Sequence, residues 1–253
     1  MRLHHVVESA RDHNWFVVGV ELIIVIVGVF IGIQVANWNE DRLDQKRAHS
    51  YLVRISADLE ADIDSYRDRL RFWQAVEEYG ATAIDYADTG LLDDHSKWDV
   101  LLAYFQASQL AEFYTTDATY DEIKGAGELG LIADLELRNS LAYYYTNANN
   151  PALTERPAYR EHVRGIIPLE LQSYIWEHCY TANELGIQVL LDCEAPESNV
   201  NLEPIITNLG GDRQLSQELR YWMSTMHVAS LIGNARIESA IQLRESIEGK
   251  AGI

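Results

Sequence analysis

Residues 16–36 read FVVGVELIIVIVGVFIGIQVA, and this run constrains the chain more than any other feature. Glu21 is its one ionisable side chain and Gln34 its one amide. As a helix, about 21 residues at about 1.5 Å each cover roughly 30 Å, the hydrocarbon thickness of a bilayer. A core helix of a water-soluble protein would need a polar face, and this run has none. We therefore expect a transmembrane helix over residues 15–38. Trp15 and Trp38 stand at its two ends, where indole rings favour the headgroup level. The preceding tail, residues 1–14, carries both signs of charge. The apolar run also exceeds the roughly 7–15 residues of a signal-peptide core. A retained anchor is expected rather than a cleaved leader.

One face of that helix is distinctive. Gly28, Gly32 and Ala36 repeat at four-residue steps, which lets a second helix backbone approach closely. On a helical wheel Glu21 falls about 20° from Gly28 and Gly32, so the carboxyl shares the small-residue face. A carboxyl in lipid is costly to ionise. Three roles are open to Glu21. It can make a hydrogen-bonded contact in a helix–helix interface, take part in proton or ion movement with a partner subunit, or snorkel towards the Trp15 end.

Beyond the anchor, residues 39–253 carry few prolines, and their apolar residues recur at helical spacing. Leu52, Ile55, Leu59, Ile63, Tyr66, Leu70 and Trp73 are separated by three or four residues, the stripe of a bundle helix. No Pro or Gly follows Trp38 until Gly80, so the membrane helix is expected to continue to about Tyr86 and end near Thr89-Gly90. Further helices are expected over 96–113, 133–146, 154–180 and from the Asp212 cap to about 248. The helix over 154–180 is expected to kink at Gly165 and Pro168. Thr119 to Glu122 reads as a capping box opening a short helix that closes near Gly125 to Gly130. Asn149-Asn150-Pro151 reads as a turn, and 181–211 as a loop-rich segment. No strand is expected. The fold class is all-α: an N-terminal transmembrane helix continuous with a soluble antiparallel helical bundle.

Charge and motifs narrow the function. The formal net charge is -19, and no basic stripe interrupts it, which argues against nucleic-acid binding. Gly125-Ala-Gly127-Glu-Leu-Gly130 matches the dinucleotide fingerprint in letters, but a helix rather than a strand is expected before it. The eight histidines form no metalloprotease motif and no zinc-ligand quartet. No catalytic, cofactor or metal-ligating residue is therefore assigned, and no enzymatic activity is expected. Cys179 and Cys193 are the only cysteines. They are either a disulfide stapling the loop-rich segment, by about 3 kcal/mol on the loop-entropy model, or two buried thiols.

Two blocks of sequence resemble an uncharacterised family of bacterial single-pass inner-membrane proteins. The first is Gly19-Val-Glu21-Leu-Ile, then Gly28, then Asn37-Trp38-Asn39-Glu40, like that family's Gly-x-Glu membrane helix and Asn-Trp-Asn-Glu signature. The second is Tyr120-Asp-Glu-Ile-Lys124, Gly127, Leu129 to Ile132, Leu137, Leu141 and Tyr144-Tyr145. Gly125-Ala126 stand where the family carries two serines. The resemblance implies a bacterial inner-membrane protein and supplies no catalytic residues. Counting Arg42, Lys46, Arg47 and Arg54 against Arg2 and Arg11 favours a cytoplasmic domain. The cysteine pair favours the periplasm, which is the side expected here. The function expected is a membrane-anchored helical interaction module. It would self-associate or serve as an accessory subunit of an inner-membrane complex through Glu21, Gly28, Gly32 and Ala36. The alternatives are a proton- or force-coupled component acting through Glu21, and a periplasmic ligand-binding or hydrolytic domain.

Overall fold

The computed structural model describes residues 15–111, 115–146, 157–183, 187–197 and 199–251. Helix α1 runs Trp15–Thr89 without a break. It ends where Gly90 takes a left-handed conformation at φ 70°. The Gly90 N–H closes on the Tyr86 carbonyl at 2.8 Å, the usual way a glycine stops a helix. The chain divides into two compact units, residues 1–51 and 52–253.

In the first unit the α1 residues from Val20 to Asp41 are all exposed. The helix is long and apolar enough to cross a membrane, with a mean hydropathy of 2.6 over its most apolar window and none of that window buried.

In the second unit the distal half of α1 meets the last helix, α8 (Arg213–Ala251), in antiparallel register. Ser56 faces Glu248 at 3.4 Å. Glu60 faces Arg244 at 3.6 Å. Leu70 and Trp73 meet Gly233, and Gly80 meets Met223. Asp88 pairs with Arg220 at the far end. The expected stripe does face inward: Ile55, Leu59, Ile63, Tyr66 and Trp73 are buried, with Leu52 and Leu70 at its margin. From α8, Leu215, Leu219, Trp222 and Met226 close the same core. Burying each such side chain contributes roughly 1.5–3 kcal/mol.

Helix α2 (Lys97–Gln106) opens on a capping box: Asp99 N–H donates to the Ser96 hydroxyl, and Ser96 N–H to the Asp99 carboxylate. It was expected to reach residue 113 but stops at Gln106. Carbonyls beyond that point are taken by side chains of other helices. Ala107 accepts from the Trp222 indole at 2.9 Å, Ser108 from Arg160 at 2.7 Å, and Ala111 from the Trp73 indole at 3.2 Å. The backbone there is satisfied without helix.

Helix α3 (Ala118–Gly125) begins two residues earlier than the expected capping box allows, and its N-cap Asp117 makes no side-chain cap bond. Thr119 lies inside the helix and is buried, so it cannot cap. Gly127, at φ 72°, turns the chain into a 3-10 turn over Glu128–Leu131. Helix α4 (Leu135–Thr146) is capped by Asp134, which accepts from the Leu137 N–H at 2.9 Å. The expected turn at Asn149-Asn150-Pro151 lies outside the described residues.

The helix expected over 154–180 is two helices, α5 (Ala158–Ile166) and α6 (Leu169–His178). Ile167, preceding a proline, is extended at ψ 128°. Pro168 therefore breaks the helix rather than kinking it. Where 181–211 is expected to be loop-rich and free of strands, its described residues include strand and helix. Strands β1 (Tyr180–Ala182) and β2 (Gln188–Leu190) form a short antiparallel hairpin, Tyr180 opposite Leu190. Helix α7 (Glu203–Gly211) follows, with Pro204 in its first turn, where a missing N–H costs nothing. Gly210 then leaves room for the Tyr86 ring. As expected, Asp212 caps α8 by accepting from the Leu215 N–H at 2.9 Å.

Candidate functional site

The apolar N-terminal part of α1 carries the residues singled out from sequence, within a stretch where every residue from Val20 to Asp41 is exposed. Glu21, Gly28, Gly32 and Ala36 are all exposed. A Cβ placed on Gly28 or Gly32 would meet nothing within 4 Å. Trp38 is exposed at one end; the side chain of Trp15 lies outside the described ones.

In the helical domain Cys179 and Cys193 are joined as a disulfide, Cα to Cα 5.3 Å apart. The bridge ties the two outer ends of the hairpin, and the Leu191 N–H extends the ladder to the Cys179 carbonyl at 2.9 Å. Both half-cystine carbonyls are then held by α2: Cys179 accepts from Gln106 Nε2 at 2.8 Å and Cys193 from Trp98 Nε1 at 2.8 Å.

Two polar clusters inside this domain escaped the sequence reading. In the first, Asp62 of α1 is wholly buried. Its Oδ1 accepts from the Thr116 N–H at 2.7 Å and its Oδ2 from the Tyr144 hydroxyl at 2.8 Å. Arg236 of α8 lies 4.2 Å over the Tyr144 ring and donates to the Tyr144 carbonyl at 2.7 Å. Burial pushes the Asp62 carboxyl above its ordinary range, against the hydrogen bonds and the Arg236 charge. Burial, with Asp62 alongside, raises the Tyr144 hydroxyl as well. A faint signal existed: Asp62 adjoins Ile63 on the inward stripe, where a carboxylate needs partners. Of the three consecutive tyrosines, Tyr144 is core, Tyr145 is half-buried and stacks on Tyr120 at 4.5 Å, and Tyr143 is exposed.

In the second cluster, the Arg164 guanidinium lies 4.8 Å from the Phe105 ring and 5.2 Å from the Trp176 ring. It donates to the Ser108 hydroxyl and to Gln109 Oε1, each at 3.1 Å. Burial, helped by the neighbouring Arg160 charge, lowers the Arg164 pKa to about 9. These cations collect carbonyls and hydroxyls just past the C-terminus of α2, where the helix dipole favours positive charge.

An open groove of about 810 Å³ runs between α4 and α8, lined by residues including Leu135, Asn139, Tyr143, Gln242 and Ser246. Glu136 is the one ionisable carboxylate in its lining. The groove offers hydrogen bonds but no acid–base pair. Among the described residues no group of three or more His, Cys, Asp or Glu side chains is arranged to hold a metal. The Gly125-to-Gly130 motif starts at the last residue of helix α3 and runs into the 3-10 turn, so a helix stands where dinucleotide binding requires a strand.

No protein-family model, curated protein or solved structure matches the chain.

Proposed function

We propose that this chain is a single-pass membrane protein whose helical domain acts through association. It self-associates, or serves as an accessory subunit of an inner-membrane complex, through the Glu21, Gly28, Gly32 and Ala36 face, and performs no chemistry of its own. The observation that carries this reading is the α1 window of mean hydropathy 2.6, none of it buried. At about 25 cal/mol per Å² such a surface is strongly unfavourable in water, so lipid or a partner helix must cover it. The small residues beside Glu21 favour a partner on that side. The Cys179–Cys193 bridge supports an oxidising compartment for the domain, the periplasmic side in a bacterium. The resemblance of the Gly19-to-Glu40 segment to an uncharacterised bacterial inner-membrane family agrees with this reading.

The test has two arms. Full-length protein should sediment with membranes and resist carbonate extraction; recovery in the supernatant refutes the anchor. Native mass spectrometry in mild detergent should give an oligomer, alone or with a co-purifying subunit, that the double variant Gly28→Leu/Gly32→Leu dissociates. A monomer that those substitutions leave unchanged refutes the interface.

A further inference from the structure

Helix α8 carries two seams. One faces the core through Leu215, Leu219, Trp222 and Met226. The other does not. Tyr221, Ser224, Val228, Leu231 and Ala235 follow steps of three and four residues, and every one is exposed. Tyr221 is 77% and Leu231 58% exposed, with Ile232 open beside them. That spacing is the a/d pattern by which helices pair. Isolated exposed apolar residues are ordinary, whereas a row of them in phase along one helix marks an interaction surface.

Charge favours a second copy as the occupant. The chain has 39 acidic residues, yet residues 219–237 contain none, the longest acid-free stretch in it. Its basic side chains are directed away from the seam: Arg220 pairs with Asp88, Arg236 is buried against Tyr144, and His227 lies 3.9 Å from Glu77. Two copies of a chain of net charge -19 repel over most of their surface. Along this seam they can meet without burying a carboxylate. We propose that the Tyr221–Ser224–Val228–Leu231–Ala235 face of α8 pairs with the same face of a second copy of this chain. The seam is only about 21 Å long, roughly four turns of a single helix, a small contact beside a standard interface of roughly 800 Å² per partner. It therefore pairs weakly alone and depends on the high local concentration of membrane-tethered copies; in this the inference rests on the anchored reading above.

The experiment is oxidative cross-linking of full-length protein in its own membranes, with V228C, G28C and L91C compared. Leu91 is exposed and apolar but lies off the seam. V228C should yield at least about tenfold more covalent dimer than L91C, as an effective concentration for a held pair requires. The pair V228E/L231E, with its helix content unchanged, should lower the dimer fraction seen for the wild type, while L91E should not. V228C no better than L91C overturns the seam. If G28C still cross-links in that case, the anchor interface stands by itself. If V228C cross-links and G28C does not, the seam stands and the anchor interface falls. A fluorophore at V228C quenched by lipid-borne quencher, without cross-linking, would assign the face to the bilayer surface and refute pairing.

Discussion

The Tyr144 hydroxyl donates to Asp62 Oδ2 across 2.8 Å, with both side chains closed off from solvent. A phenol thus helps hold a carboxylate at a position where the helix stripe is otherwise apolar. Hydrogen bonds to a charged group contribute more than neutral ones, about 1.5–3 kcal/mol. The pair therefore marks a place where the domain depends on polar complementarity rather than on area alone.

Tyr144→Phe should destabilise the domain by about 1.5–3 kcal/mol near pH 7. Burial raises the folded-state pKa of Asp62 above 3.8. The folded chain then holds that proton more tightly than the unfolded chain. Asp62 accordingly favours folding most below its unfolded pKa, and this contribution is lost as pH rises through the folded value. The penalty of Tyr144→Phe should shrink in acid, where no anion is left to stabilise. Urea unfolding in mild detergent at several pH values reads this; a penalty independent of pH would contradict it.

Gly210→Ala should cost about 1–3 kcal/mol through overpacking. A Cβ there would stand 2.7 Å from Tyr86 Cε1, and an aromatic ring cannot fold away as a long aliphatic chain can. Tyr86→Leu should recover part of the loss in a double-mutant cycle. Strictly additive effects would show that the two residues do not compete for space.

Replacing both half-cystines, Cys179→Ser with Cys193→Ser, should lower stability by about 3 kcal/mol on the loop-entropy model. Hydrogen exchange should rise first in β1 and β2, whose outer ends the bridge ties. Thiol labelling of intact cells with a membrane-impermeant reagent, after reduction, should reach Cys193, which is partly exposed. Labelling only after the inner membrane is opened would place the domain in the cytoplasm.

Arg164→Lys should cost about 1–2 kcal/mol, because an ammonium keeps the charge but loses the planar contact with two rings and the fork to Ser108 and Gln109. The same substitution in a Trp176→Leu background should cost less. Equal penalties in the two backgrounds would show that the ring contact contributes nothing.

Hydropathy and helical period alone determined the long apolar helical run at residues 16–36, the inward stripe from Ile55 to Trp73 and the Asp212 cap of α8. Those properties are local: a helix repeats every 3.6 residues, and a run long and apolar enough to span a bilayer is so whatever lies elsewhere in the chain. Only tertiary structure decided the rest. It ended α2 at Gln106, because the carbonyls that follow are met by Trp222, Arg160 and Trp73 from distant segments. It paired Tyr180 with Leu190 in a hairpin too short for alternation to reveal. It also buried Asp62 opposite Tyr144, a relation across eighty-two positions. Such pairings depend on which helix faces meet, and sequence spacing does not carry that information.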